Sequence, residues 1–151
     1  MIRQIVSVND LIPIIEEKMG LDQEVVLKVK GTSMAPFFKT DVTSVVLVAP
    51  NDLKLYDVVL FAGKNGNYIL HRIVQIKNDH CVIQGDALPQ KELVPLKAII
   101  AKVSKFETYG KTIFTDNPKY LREVKQWIKW RFLRRYLLWI NRHFERNKDH
   151  E

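Results

Sequence analysis

Cysteine is nearly absent from this sequence. With Cys81 alone, no intramolecular disulfide can staple the fold, and no cluster of Cys and His has metal-ligand spacing. A reducing compartment is expected, with no metal and no cofactor. Cys81 sits in the apolar run His80-Cys81-Val82-Ile83 and reads as a buried structural thiol. Glycine and proline are also sparse, six of each among 151 residues, while 46% of the chain is hydrophobic. That balance excludes a disordered or low-complexity protein and allows one core of ordinary size plus an appendage. Long apolar runs are missing as well. In MIRQIVSVNDLIPII, Asn9, Asp10 and Pro13 interrupt the stretch before a signal-peptide core or a membrane span of roughly 20 residues could form. The chain is therefore expected to start soluble, in the cytoplasm.

Acidic residues run short in one region only. Residues 118–151 hold ten Lys or Arg against four acids, whereas residues 1–117 hold fourteen against thirteen. The formal charge of +7 thus belongs almost wholly to the tail. Any inference from charge to nucleic acid or an anionic membrane attaches to those last 34 residues.

What is present is a series of short strand-like runs. Residues 9–19 first read as a helix, with Asn9 or Asp10 as N-cap, Pro13 tolerable in the first turn, Gly20 as the stop, and Leu11, Ile14, Ile15 and Met19 as the apolar face. Strand patterns follow at 24–30, 42–49, 57–62, 68–76, 80–84, 98–106 and 111–114. Turn chemistry separates them, as in Pro50-Asn51-Asp52, Lys64-Asn65-Gly66-Asn67 and Gly85-Asp86. This spacing predicts a mainly β, antiparallel domain over residues 1–117. From residue 118 glycine disappears, and Leu121, Val124, Trp127, Ile128, Leu133, Leu137, Ile140 and Phe144 recur at helical spacing. Residues 118–151 are expected to form a long, basic, amphipathic C-terminal helix with a wide apolar sector.

The chemistry concentrates in Lys30-Gly31-Thr32-Ser33-Met34-Ala35-Pro36. A serine on a glycine-permitted turn leaving a strand can be held exposed, with its backbone N–H aimed at a carbonyl. A structural turn serine would look the same, so the surrounding segments decide. They are GTSMAP at 31–36, YDVVLF at 56–61, HRIV at 71–74 and GDA at 85–87, in that order. The set resembles the signal peptidase I and LexA-like serine peptidase clan over about residues 25–105. The family pattern is a GxSMxP nucleophile box, a G-D-V-V segment, a basic residue followed by Arg-Val or Arg-Ile, and a G-D-N box.

The resemblance implies a partly closed antiparallel β fold and a serine endopeptidase acting on a leader or signal-type peptide. It implies Ser33 as nucleophile, His71 as general base of the His-type members, and Asp86 as the group that orients or stabilises the imidazolium, with Asp41 and Asp57 as rivals for that third role. The Ser33 amide would serve as oxyanion donor, with Gly31 and Thr32 shaping the turn. Met34 and Pro36 would line a shallow pocket for small side chains. A base beside the serine is what the chemistry needs, since a hydroxyl is a poor nucleophile at neutral pH. Three departures stand out: Tyr56 replaces the usual Gly, Ala87 replaces the usual Asn, and no N-terminal membrane anchor is expected from the interrupted apolar stretch. They motivate the alternative of a non-catalytic peptide-binding or regulatory module. His80, His143 and His150 lack family context and read as surface or structural.

The tail admits two uses. Trp127, Trp130 and Trp139 among Lys and Arg suit peripheral contact with a membrane surface. The same apolar face could instead pack on the β domain or a partner. Nucleic acid is not the expected partner, because the roughly 30 residues before the serine box are too few for a helix-turn-helix.

Overall fold

The computed structural model describes residues 8–64 and 66–148. His150 and the segment ahead of Val8 lie outside the described residues, as do the side chains of Phe144 and Arg146. The chain divides into two compact units, one ending at Asp116 and one beginning at Asn117.

The first unit opens with helix α1, Val8–Gly20. Its buried residues are Ile12, Ile15 and Met19, while Ile14 is exposed. The apolar stripe is thus turned by half a step from the expected one, with Ile12 in place of Ile14. Asn9 is not a cap. It lies inside the helix, its Oδ1 accepting from the Tyr68 N–H at 3.1 Å and its Nδ2 donating to Asn67 Oδ1 at 3.2 Å. Because the helix reaches back at least to Val8, Pro13 falls in its second turn and lacks the N–H that would complete the ladder there.

Eight antiparallel strands follow: β1 Val25–Lys28, β2 Ser44–Val48, β3 Val58–Ala62, β4 Tyr68–Lys77, β5 His80–Gln84, β6 Lys91–Pro95, β7 Ile99–Thr108 and β8 Lys111–Phe114. A single turn of 3-10 helix, Leu96–Ala98, joins β6 to β7. The mainly β expectation holds, and the sheet does not close. Its order is β1-β2-β7-β3-β4-β5-β6, with β8 paired to β7 beside that path. Strand β6 escaped the sequence reading. Flanked by Pro89 and ending at Pro95, it buries only Val94, so it carries little alternation.

The core explains the order. β3 lies between β7 and β4, and Val58, Val59, Leu60 and Phe61 are all buried, two on each face. One face gathers Val59, Phe61, Ile73, Cys81, Ile83, Val94 and Ile99. Cys81 is thus the buried thiol expected, its sulfur against the Val94 carbonyl at 3.5 Å.

The second unit is one helix, α2 Pro118–Lys148. Asn117 caps it, with Oδ1 accepting from the Lys119 N–H at 2.9 Å and the Tyr120 N–H at 3.3 Å. Among the described residues no helix is long and apolar enough to cross a membrane.

Candidate active site

The serine loop is closed at its base by backbone pairing. The Val29 N–H donates to the Thr43 carbonyl, and the Asp41 N–H donates to the Val29 carbonyl at 2.9 Å. Gly31 leaves the strand direction at φ +81°, a left-handed conformation that glycine adopts without cost, and its N–H donates to Thr40 Oγ1. The chain then coils tightly, with the Ala35 N–H on the Thr32 carbonyl and the Phe38 N–H on the Met34 carbonyl. Phe38 is fully buried with its ring centroid 4.8 Å from that of Phe106, which anchors the loop's far side. Ser33 rides on this coil, half-buried.

His71 comes from the middle of β4. Its register partner is Val59, its ring lies 6.1 Å from that of Phe61, and only 8% of its surface is exposed. Burial pushes its pKa below the ordinary value of 6.5, while the carboxylates of Glu92 and then Asp86 push it back up. The imidazole is therefore kept neutral near pH 7, as a general base must be.

Gly85 joins the two. A β-carbon placed on it would lie 2.9 Å from the Ser33 carbonyl oxygen and 3.0 Å from His71 Nε2. Those two atoms are thus no further apart than twice that distance. The Ala87 N–H donates to the same Ser33 carbonyl at 2.9 Å, which pins the serine turn to the loop after β5. Among the described residues no hydrogen bond joins Ser33 Oγ to His71. Catalytic pairs are commonly looser before substrate arrives.

Asp86 favours the charged form of His71 through its own charge, while its oxygens are held by another residue. Arg72, fully buried, donates Nε to Asp86 Oδ1 at 2.9 Å and Nη2 to Oδ2 at 2.8 Å, a fork-to-fork pair. A third donor, Arg72 Nη1, holds the Tyr56 carbonyl at 2.9 Å. Asp86 is committed to Arg72 through both oxygens and acts on His71 as a nearby charge. Its rivals are placed elsewhere. Asp41 pairs with Lys30, whose hydrogen bond and charge hold its carboxyl below the usual range, and it is well exposed. Asp57 accepts from the Lys54 N–H at 2.8 Å, and burial raises its pKa.

Glu92 is the residue the sequence reading missed. It lies on β6, opposite Ile83, on the face that also carries His71 and Phe61, and it perturbs His71 more than Asp86 does. No motif marks it, because β6 itself was not legible. Gly85 was legible as a turn glycine, but only the fold shows what its missing side chain makes room for.

Beside the serine runs a cleft of about 460 Å³, lined among others by Leu27, Val29, Met34, Val45, Leu60 and Leu70. Ser33 touches it, and Met34 sits there as expected. Pro36 is exposed and stands outside that lining. His71 is not part of that lining, although its neighbours Ile69 and Leu70 are. Tyr56, where the family pattern has glycine, adopts φ +76°. That is a left-handed conformation that favours glycine. Of the remaining histidines, His80 pairs with Asp79 at 2.8 Å and His143 lies against Trp139.

No family model, no curated protein and no solved structure matches this chain.

Proposed function

We propose that the chain is a serine endopeptidase resembling signal peptidase I, which cuts a leader or signal-type peptide with Ser33 as nucleophile and His71 as general base. The observation that carries this reading is the convergence of the Ser33 turn and His71 Nε2 on Gly85. In the proposed reaction, His71 Nε2 takes the proton of Ser33 Oγ as the oxygen adds to the scissile carbonyl carbon. The Ser33 N–H then stabilises the oxyanion. Collapse of that intermediate breaks the C–N bond, and the proton passes from His71 to the leaving amine. Water, deprotonated by the same imidazole, releases the acyl group.

Substrate would enter as an extended strand. β1 is an edge of the sheet, and its continuation through Lys28, Val29, Lys30 and Gly31 lines the cleft up to Ser33. An edge offers unpaired backbone groups to a peptide, and the apolar floor under it suits small apolar side chains. The buried Cys81 suits the reducing cytoplasm.

A peptide-binding module without catalysis is the second reading. It is favoured by the absence, among the described residues, of a hydrogen bond between Ser33 and His71. Incubation with a library of leader-type peptides distinguishes the two. Cleavage after small residues by the wild type, absent from both Ser33→Ala and His71→Ala, supports the peptidase. Binding of the same peptides with no product from any form supports the module.

A further inference from the structure

We infer that the outer part of α2 is an interfacial anchor that lies in the surface of an anionic lipid bilayer, an inference independent of the peptidase reading. Residues 124–143 hold six Lys or Arg and no acid. The same stretch leaves large apolar groups in water: Trp130, Phe132, Leu133, Tyr136, Leu137, Leu138 and Trp139 are all about half exposed or more, and Phe132 is 80% exposed. Desolvating that surface stabilises whatever covers it.

The two kinds of residue are sorted around the helix. At about 100° per residue, Arg131, Arg134, Arg135 and Arg142 fall within one sector of roughly 100°. Phe132, Leu133, Tyr136, Trp139 and Ile140 occupy the opposite side, flanked by Leu137 and Trp130. Lys125 and Lys129 on the apolar side and Leu138 among the arginines are the exceptions. The Tyr136 and Trp139 rings stack at 6.2 Å, and His143 lies 4.3 Å from Trp139, so the aromatic side is continuous. This register begins only at Trp130. Tyr120, Val124 and Trp127 lie on the side that the arginines take further along, which makes α2 as a whole weakly amphipathic while its outer part is sharply so.

Charge selects the occupant. A second copy packed on the aromatic side would leave the arginine sector without counter-charges, and a nucleic acid would leave the aromatic side in water. An anionic bilayer covers both sides, because the aromatic side enters the acyl boundary while the arginine stems reach phosphates at the headgroup level. The helix cannot cross the membrane, with its cations spread along the whole stretch.

All three Trp residues of the chain, Trp127, Trp130 and Trp139, are in α2, so intrinsic tryptophan fluorescence reports on this helix alone. The full chain is titrated with vesicles of phosphatidylcholine and phosphatidylglycerol in equal parts, and with vesicles of phosphatidylcholine alone. A blue shift and co-flotation with the anionic vesicles are expected, weakened but not abolished by salt. Two variants at exposed positions, Phe132→Ser with Leu133→Ser, and Arg134→Gln with Arg135→Gln and Arg142→Gln, should each weaken partitioning at least about tenfold. No co-flotation, or equal co-flotation by wild type and both variants, overturns the inference. So does a concentration-dependent dimer that the Phe132 and Leu133 variant abolishes without any vesicle binding, or a fluorescence shift produced by an oligonucleotide and not by vesicles.

Discussion

Arg72 grips Asp86 with two hydrogen bonds of 2.9 and 2.8 Å, and neither side chain is more than 2% exposed. Removing one member leaves the other buried without its counter-charge. Asp86→Ala should cost about 3–5 kcal/mol in urea unfolding, and Arg72→Met with Asp86→Leu should recover most of it. An unchanged midpoint for Asp86→Ala would show that the pair is not closed off from water. Low activity in an Asp86 variant therefore reports on folding before it reports on catalysis.

Gly85 predicts a different pattern. Its added β-carbon would meet the Ser33 backbone carbonyl and His71 Nε2 at once. Gly85→Ala should lower stability by about 1–3 kcal/mol through overpacking and should also displace the serine turn. At temperatures where the variant is fully folded, peptide cleavage should still be lost by tenfold or more. Full activity in the folded variant would remove Gly85 from the site.

The pH dependence follows from the burial of His71. Its pKa is depressed in the folded chain, so the unfolded chain binds more protons between that lowered value and about 6.5. Stability from this group is complete above about 6.5 and falls as the pH drops toward the folded pKa. Cleavage, which needs the neutral imidazole, should rise with pH through the same lowered value. Glu92→Gln removes the larger of the two charges that hold the pKa up, so the acid limb of kcat/KM should move to lower pH. A limb that stays in place would mean that Glu92 is screened from the ring.

Tyr56 should invert a familiar order. At φ +76° a β-carbon costs about 1–2 kcal/mol, more than the unfolded-state freedom that glycine adds, about 0.4–1 kcal/mol. Both Tyr56→Gly and Tyr56→Ala lose the ring, so their difference isolates the backbone. The glycine variant should melt higher than the alanine variant in calorimetry, and the opposite order would refute the strain.

How far the sequence spoke depended on the kind of signal. β-Branched runs and turn chemistry made every strand but β6 readable, and in β2 and β5 the residues of one face are buried as alternation requires. β6 buries Val94 alone and is held by pairing with β5, a long-range term that no local pattern carries. Glu92 was invisible for the same reason. Ser33 and His71 were found through their motif boxes, and the fold brings both to Gly85. The Asp86 charge favours the protonated His71 ring, in line with the stabilising part of its expected role, but its fork-to-fork pair with Arg72 was not legible, since motif order says nothing about which neighbour a carboxylate faces. The swap of Ile14 for Ile12 in α1 and the use of Asn9 as a tie to Tyr68 depend likewise on where the helix lies against the sheet.

Whether Ser33 is an activated nucleophile is tested most directly by covalent capture. The full chain is incubated at neutral pH with a serine-directed acylating probe, and intact mass and peptide mapping locate the adduct. The peptidase account predicts one adduct, on Ser33, with none in Ser33→Ala and a rate lowered by at least about a hundredfold in His71→Ala. A wild-type chain that stays unlabelled while folded, or that labels equally fast without His71, would contradict it.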